Sequence, residues 1–195
     1  MRIAVVCEVS TREKSGVVVQ ALKEAVPGAQ IYNIGMSENG SETELTYIHT
    51  GFIAALALYS GAADFVVGGC GTGQGFMVCA NQYPGVVCGF ADNPLDAWLF
   101  SQINAGNCIS LPLNRGYGWA GDINLRHIFE KLFCDAAGQG YPLHRSETQA
   151  ASRNAITKLS KISKRSIPEI MQTMDPAVVS RVMSHGPFLQ FVAST

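Results

Sequence analysis

A cysteine stands at the head of a glycine run, Gly69-Cys70-Gly71-Thr72-Gly73-Gln74-Gly75-Phe76. Four glycines in the seven positions from Gly69 to Gly75 let a backbone turn tightly and approach a ligand closely. The apolar run Phe65-Val66-Val67-Gly68-Gly69 before it reads as a strand, and a helical pattern follows through Asn81. A loop so placed can aim several backbone N–H groups at an anion. That anion is either a phosphate or the enediolate oxygen formed during a proton transfer. A plain strand-to-helix turn is the reading without chemistry, and the thiol at the strand end argues against it. A thiol near a helix N-terminus can serve as base or nucleophile. Neither a Walker loop nor a dinucleotide fingerprint fits, because the glycines alternate as Gly-x-Gly-x-Gly. The Gly-x-Ser-x-Gly nucleophile elbow is missing too.

Such a loop needs a sheet to hold it, and the chain supplies one. Strands are expected at Ile3–Cys7, Gln30–Ile34, Phe65–Gly69, Gly85–Gly89 and Asn107–Leu111. Helical patterns lie between them, at Lys14–Ala25, Tyr47–Ser60, the segment ending at Asn81, and Pro94–Ile103, with another at Trp119–Phe133. Ser37–Glu44 is a polar loop. The alternation predicts an α/β fold: a three-layer, doubly wound, Rossmann-like sheet of five parallel strands, with helices on both faces and a C-terminal helical extension. Ligands of such sheets bind beyond the carboxyl ends of the strands. The order of elements leaves the strand order open. Residues 1–138 form the α/β domain on this reading. Residues 139–195 form a loop and helical tail expected to build an interface, with helices at Ser146–Lys164, Ile167–Met174 and Pro176–Ser184.

Composition narrows the partners. The 195 residues carry a formal net charge of −1, so no basic field argues for nucleic acid. Lys158, Lys161, Lys164 and Arg165 read as a solvated helix face. No apolar stretch approaches a membrane span and no signal peptide is apparent, so a cytoplasmic protein is expected. Charged residues make up only 15%, and a covered surface is expected on that ground, as in a homodimer or homotetramer. Six cysteines show no Cys-x-x-Cys pair and no zinc spacing. Most read as small buried hydrophobes in a reducing compartment.

Three segments together resemble the ribose-5-phosphate isomerase B and galactose-6-phosphate isomerase family. These are Ser60-Gly61-Ala62-Ala63-Asp64, the run from Gly69 to Gly75, and Ala80-Asn81-Gln82-Tyr83-Pro84-Gly85-Val86. The opening from Arg2 to Glu8 and the later Asn104-Ala105-Gly106-Asn107 continue the resemblance, which covers roughly Met1 to Arg153. It implies an aldose–ketose isomerase acting on a phosphorylated sugar, without metal or organic cofactor, and with active sites shared across a subunit interface. Cys70 matches the base that moves a proton between C1 and C2. Gly71, Thr72, Gly73 and Gly75 match the loop that holds the enediolate oxygens, with Thr72 counted among the catalytic residues. Asn81 matches a residue that supports the loop. Glu8 falls where the family has Asp, and Asn104 matches a contact to sugar hydroxyls. Arg115, or its neighbour Asn114, and Arg145 are the candidates for the phosphate.

The departures concern the ring. Val9 replaces a family histidine, Ile103 stands where the ring-opening histidine is expected, and Ala105 stands for the aspartate after it. The tail is longer than the family's usual ending. His49 is the candidate substitute acid, with helix capping as its alternative role. A substrate already open-chain is the other way to do without the histidine. A non-catalytic sugar-phosphate-binding subunit of a hetero-oligomer is the competing function, and the retained Cys70 argues against it. A nucleotide-binding protein ranks last, since no suitable acidic residue follows the second strand.

Overall fold

The chain alternates buried runs with amphipathic ones, and the computed structural model, which describes residues 1–40 and 43–195, shows what that produces. Five parallel strands form one sheet: β1 (Arg2–Cys7), β2 (Gln30–Asn33), β3 (Phe65–Cys70), β4 (Cys88–Phe90) and β5 (Cys108–Pro112), in the order β2-β1-β3-β5-β4. β3 is buried along its whole length and β1 from Ile3 onward, which is why they read as unbroken apolar runs. Part of the polar loop expected at Ser37–Glu44, positions 41 and 42, lies outside the described residues.

Two apolar layers sandwich the sheet. Alternate residues of β1 face opposite sides. Ile3, Val5 and Cys7 pack with α1 (Ser15–Ala25), α5 (Gly121–Phe133) and Ala97 of α4 (Pro94–Leu99). Ala4 and Val6 pack with α2 (Tyr47–Tyr59) and α3 (Gln74–Ala80). α3 lies unusually close to β3. A Cβ at Gly68 would stand 2.1 Å from the Phe76 ring, so the glycine is what lets that ring lie flat on the strand. Full burial of such a ring contributes about 1.5–3 kcal/mol.

Two expected elements differ. The fourth strand begins at Cys88, not Gly85. Gly85 has φ +75°, and the Val87 amide is taken by the Asn107 side chain at 2.9 Å, so the apolar run before Cys88 cannot join the ladder in full. The fourth inter-strand helix ends as a wider π turn, Phe100–Asn104.

The tail shares the core. α7 (Ile167–Thr173), α8 (Pro176–Met183) and a further helix, α9 (Gly186–Ala193), bury Ile167, Val182, Phe188 and Phe191 in the same apolar layer as α2 and α3. Phe191 meets Tyr32 of β2 at 4.7 Å between ring centroids. The boundary expected at 138 therefore does not separate two cores. α6 (Ser146–Ser163) is different: none of its residues is buried, and Ile156, Leu159 and Ile162 are at least half exposed.

Candidate functional site

The strand order reverses direction between β1 and β3, so a crevice opens there beyond the carboxyl ends. Cys70 closes β3 at that crevice, buried on the α2–α3 face. Its Sγ lies 3.9 Å from the Thr72 hydroxyl, which also accepts from the Gln74 amide at 3.4 Å. Gly73 makes the turn with φ +74°. A Cβ there would fall 2.7 Å from the Phe90 ring and 3.0 Å from the β5 backbone, so no other residue fits without displacing the loop. Ser110 donates to the Gly73 carbonyl and locks the turn to β5.

The loop after β5 completes one wall. The amides of Asn114 and Arg115 both donate to the Gly71 carbonyl, at 3.0 and 2.8 Å, and the Leu113 amide donates to that of Cys70 at 3.1 Å. These bonds turn the Gly71 and Cys70 carbonyls toward β5. The amides of Gly71 and Thr72 donate to no other described residue. The β1 side supplies Glu8, buried, which accepts from the Ser10 hydroxyl. The Asn114 side chain donates to the Ser10 carbonyl at 2.9 Å and so ties the β1 and β5 loops together. Arg115 lies over Phe90, 5.7 Å from the ring centroid, and pairs with Asp92 at 3.3 Å. Tyr47, at the start of α2, covers Gly75.

Cys70, Thr72, Gly71, Gly73, Gly75, Glu8 and Arg115 thus share the carboxyl edge, as expected. Ser10, Lys14, Phe90 and Asp92 join them; the sequence signal for each is only its place at or after a strand end. Three expected residues are elsewhere in the chain. Asn81 ends α3 at the opposite edge. It donates to the Cys88 and Met77 carbonyls at 2.8 and 3.1 Å and accepts from the Cys88 amide at 3.0 Å, so it pins β4 rather than the glycine loop. Asn104 closes the π turn four residues before β5, again at the amino edge. Arg145 ends a short 3-10 turn, Leu143–Arg145, in a segment strapped to that same end. There Gly138 and Gly140 bond the Ser101 and Gln102 carbonyls, and Arg153 donates to the Ile103 carbonyl at 2.9 Å.

His49 is a capping residue. Its Nδ1 accepts from the Thr46 amide at 3.0 Å, closing a capping box at the start of α2. Burial first, and Arg181 second, lower its pKa, which keeps the imidazole neutral and able to accept. Burial pushes other thiols up, Cys7 to about 12 and Cys79 to about 11, which makes them inert packing groups at neutral pH. Among the described residues no cluster of His, Cys, Asp and Glu is arranged to hold a metal, and no helix is long and apolar enough to cross a membrane.

Similarity to known proteins agrees with this geometry. Among curated proteins, none matches the chain. Among solved structures, a 4-deoxy-L-threo-5-hexosulose-uronate ketol-isomerase complexed with a tartrate aligns over 98% of this chain and 91% of its own, at 39% identity and a TM-score of 0.95. A ribose-5-phosphate isomerase (LacAB_rpiB) from Vibrio parahaemolyticus aligns over 100% and 92%, at 40% identity and a TM-score of 0.95. The type B ribose 5-phosphate isomerase of Trypanosoma brucei shares the fold, covering 81% of this chain and 97% of its own at 19% identity and a TM-score of 0.69. The Ribose/Galactose Isomerase profile matches residues 3–133, the span that holds β1 from Ile3 onward, the other four strands, the glycine loop and Cys70. The chain belongs to the ribose/galactose isomerase family, whose members are sugar isomerases.

Proposed function

We propose that the chain interconverts an aldose and a ketose, with Cys70 as the base that moves a proton between C1 and C2 of an open-chain acidic sugar. The observation that carries this is a cysteine at the end of β3, its Sγ 3.9 Å from the Thr72 hydroxyl, followed directly by two loop amides without other described partners, at the reversal point of the sheet. The thiolate takes the proton from C2 of the aldose, and the electron pair forms the C1–C2 double bond. The C1 carbonyl oxygen becomes the enediolate oxygen, met by the Gly71 and Thr72 amides. The proton returns to C1, and the hydroxyl proton passes from O2 to O1 through the Thr72 hydroxyl, which lies 3.9 Å from the Cys70 Sγ. Glu8, held by Ser10, accepts from sugar hydroxyls.

Ile103 offers no proton to a ring oxygen, and His49 is committed to its cap. A substrate that cannot close a ring fits both facts. One class is a short sugar phosphate, since a tetrose with a terminal phosphate lacks the hydroxyl for an ordinary five-membered ring. A second reading is a 4-deoxy-5-keto uronate. It lacks hydroxyls at C4 and C5, so it cannot close a furanose or pyranose ring on C1. The support for this reading is the full-length likeness to the uronate ketol-isomerase, tail included, a likeness shared equally with the ribose-5-phosphate isomerase of Vibrio parahaemolyticus. Turnover of tetrose phosphates, ribose 5-phosphate and the 4-deoxy-5-keto-hexuronate by the purified protein tests the reading. Preference for either open-chain class supports it. Efficient turnover of ribose 5-phosphate alone contradicts the open-chain proposal.

Asn104 and Arg145 cannot reach Cys70 within one protomer, because the length of a strand separates the two edges. Here they serve a second copy. The exposed apolar residues Ile156, Leu159 and Ile162 on α6, of which Ile156 lines a groove with Tyr59 and Val86, are the apolar surface such an assembly would cover.

A further inference from the structure

Lys14 ends the 3-10 turn that follows β1, at the carboxyl edge of the sheet. Its ammonium donates to Asn114 Oδ1 at 2.7 Å and lies 5.2 Å from the centroid of the Tyr117 ring. Asn114 is itself fixed: its Nδ2 is spent on the Ser10 carbonyl and its amide on the Gly71 carbonyl, so Oδ1 is the atom left to face Lys14. The same Nδ2 lies 3.3 Å from where a Cβ on Gly71 would stand. Lys14 is therefore one side chain removed from the glycine loop, held by a neutral partner.

The charges around the crevice differ in what they already face. Arg115 has Asp92 at 3.3 Å. Arg12 donates to the Ser37 and Gly40 carbonyls, away from the loop. Glu8 is buried and accepts from the Ser10 hydroxyl. No described carboxylate lies within ion-pair distance of Lys14, whose contacts are an amide oxygen and an aromatic face. An ammonium has three donors and Asn114 uses one, so two remain for a ligand. A compact point charge of this kind suits phosphate or carboxylate oxygens equally.

We propose that Lys14, positioned by Asn114, binds the anionic terminus of the substrate while Cys70 works at the other end of the carbon chain. This rests on the isomerase reading for its place in turnover, but the anion site stands on its own geometry. It makes Lys14 a residue that selects acidic sugars over neutral ones and contributes nothing to the proton transfer itself.

The test compares the parent protein with Lys14→Met, Lys14→Arg and Asn114→Ala, each first shown to melt as a folded protein. Steady-state kinetics on the acidic sugar the parent turns over, and calorimetric titration with inorganic phosphate and with tartrate, are the readouts. Lys14→Met is expected to raise KM and weaken anion affinity about ten- to a hundredfold while kcat stays within a few-fold. Lys14→Arg recovers most of the loss, and Asn114→Ala falls between. Unchanged KM and anion affinity in folded Lys14→Met overturns the proposal and leaves Cys70 chemistry standing. If the parent isomerises none of the sugars, the isomerase reading fails, and the titrations alone decide: weaker binding in Lys14→Met upholds the anion site, while equal or undetectable binding in the parent overturns it.

Discussion

The two edges of the sheet are built on different principles. At the carboxyl edge, polar groups converge on a space: Cys70, Glu8, Asn114, Arg115 and Lys14 come from three separate loops and meet around the glycine turn. At the amino edge, polar groups are spent on the backbone. Asn81 closes on Cys88, Asn107 on Val87 and Gly85, Arg153 on Ile103 and Gly138, and Lys164 on Asn81 and Tyr83. One edge leaves donors for a ligand and the other uses them to fasten β4, the π turn and α6. Changes at the first should read out in turnover, and changes at the second in stability.

Two glycines with the same backbone angle give the sharpest contrast. Gly73 and Gly85 have φ +74° and +75°, but a Cβ at Gly73 strikes Phe90 and β5, whereas at Gly85 it meets nothing within 4 Å. Gly73→Val should cost about a hundredfold or more in kcat/KM through displacement of the loop. Gly85→Ala should cost about 1 kcal/mol of stability and leave turnover unchanged. Equal effects on turnover would break the distinction between the edges.

On the proposed assembly, the amino edge joins the chemistry only through a second copy. Cys70→Ala and Arg145→Ala should each be inactive alone. When mixed under conditions that exchange subunits, they should regain about a quarter of parental activity, since half the dimers are hybrids with one intact site of two. No recovery on mixing, with exchange verified, would confine each site to one protomer.

Asn81→Ala removes both bonds to Cys88 and should destabilise by about 1–3 kcal/mol, read as a lower denaturant midpoint, with KM unmoved. A raised KM without loss of stability would return Asn81 to the active site. The smallest effect is at His49. Burial holds its folded pKa below the ordinary value of about 6.5, so the unfolded chain binds the proton more readily. Its contribution is therefore complete above that value and is lost as pH falls through the folded pKa. Melting temperature should drop slightly between pH 7 and 5, and His49→Asn should flatten that slope.

How much of this was legible in the sequence follows the same division. β1 and β3 are apolar on both sides, so their pattern is unambiguous, and Cys70 with its glycines marks a strand end by itself. β4 is a three-residue edge strand whose preceding valines look equally strand-like; only the Asn107 side chain, twenty positions away, decides where the ladder begins. α9 opens with Gly186-Pro187, which reads as a breaker although proline is well suited to a first helical turn. Lys14 and Asn114 are 100 positions apart and individually ordinary, so their partnership is a property of the fold alone. Asn81 and Asn104 stand in segments that look like the family's, but a linear sequence says nothing about which edge of the sheet a residue reaches.

The claim on which the rest depends is that Cys70 is the proton-transfer base. It is tested most directly by solvent-deuterium incorporation at C1 or C2 of the substrate, measured by NMR, in the parent and in Cys70→Ala. The account predicts incorporation by the parent and none above background by folded Cys70→Ala, with substrate binding retained. Undiminished exchange in that variant would contradict it.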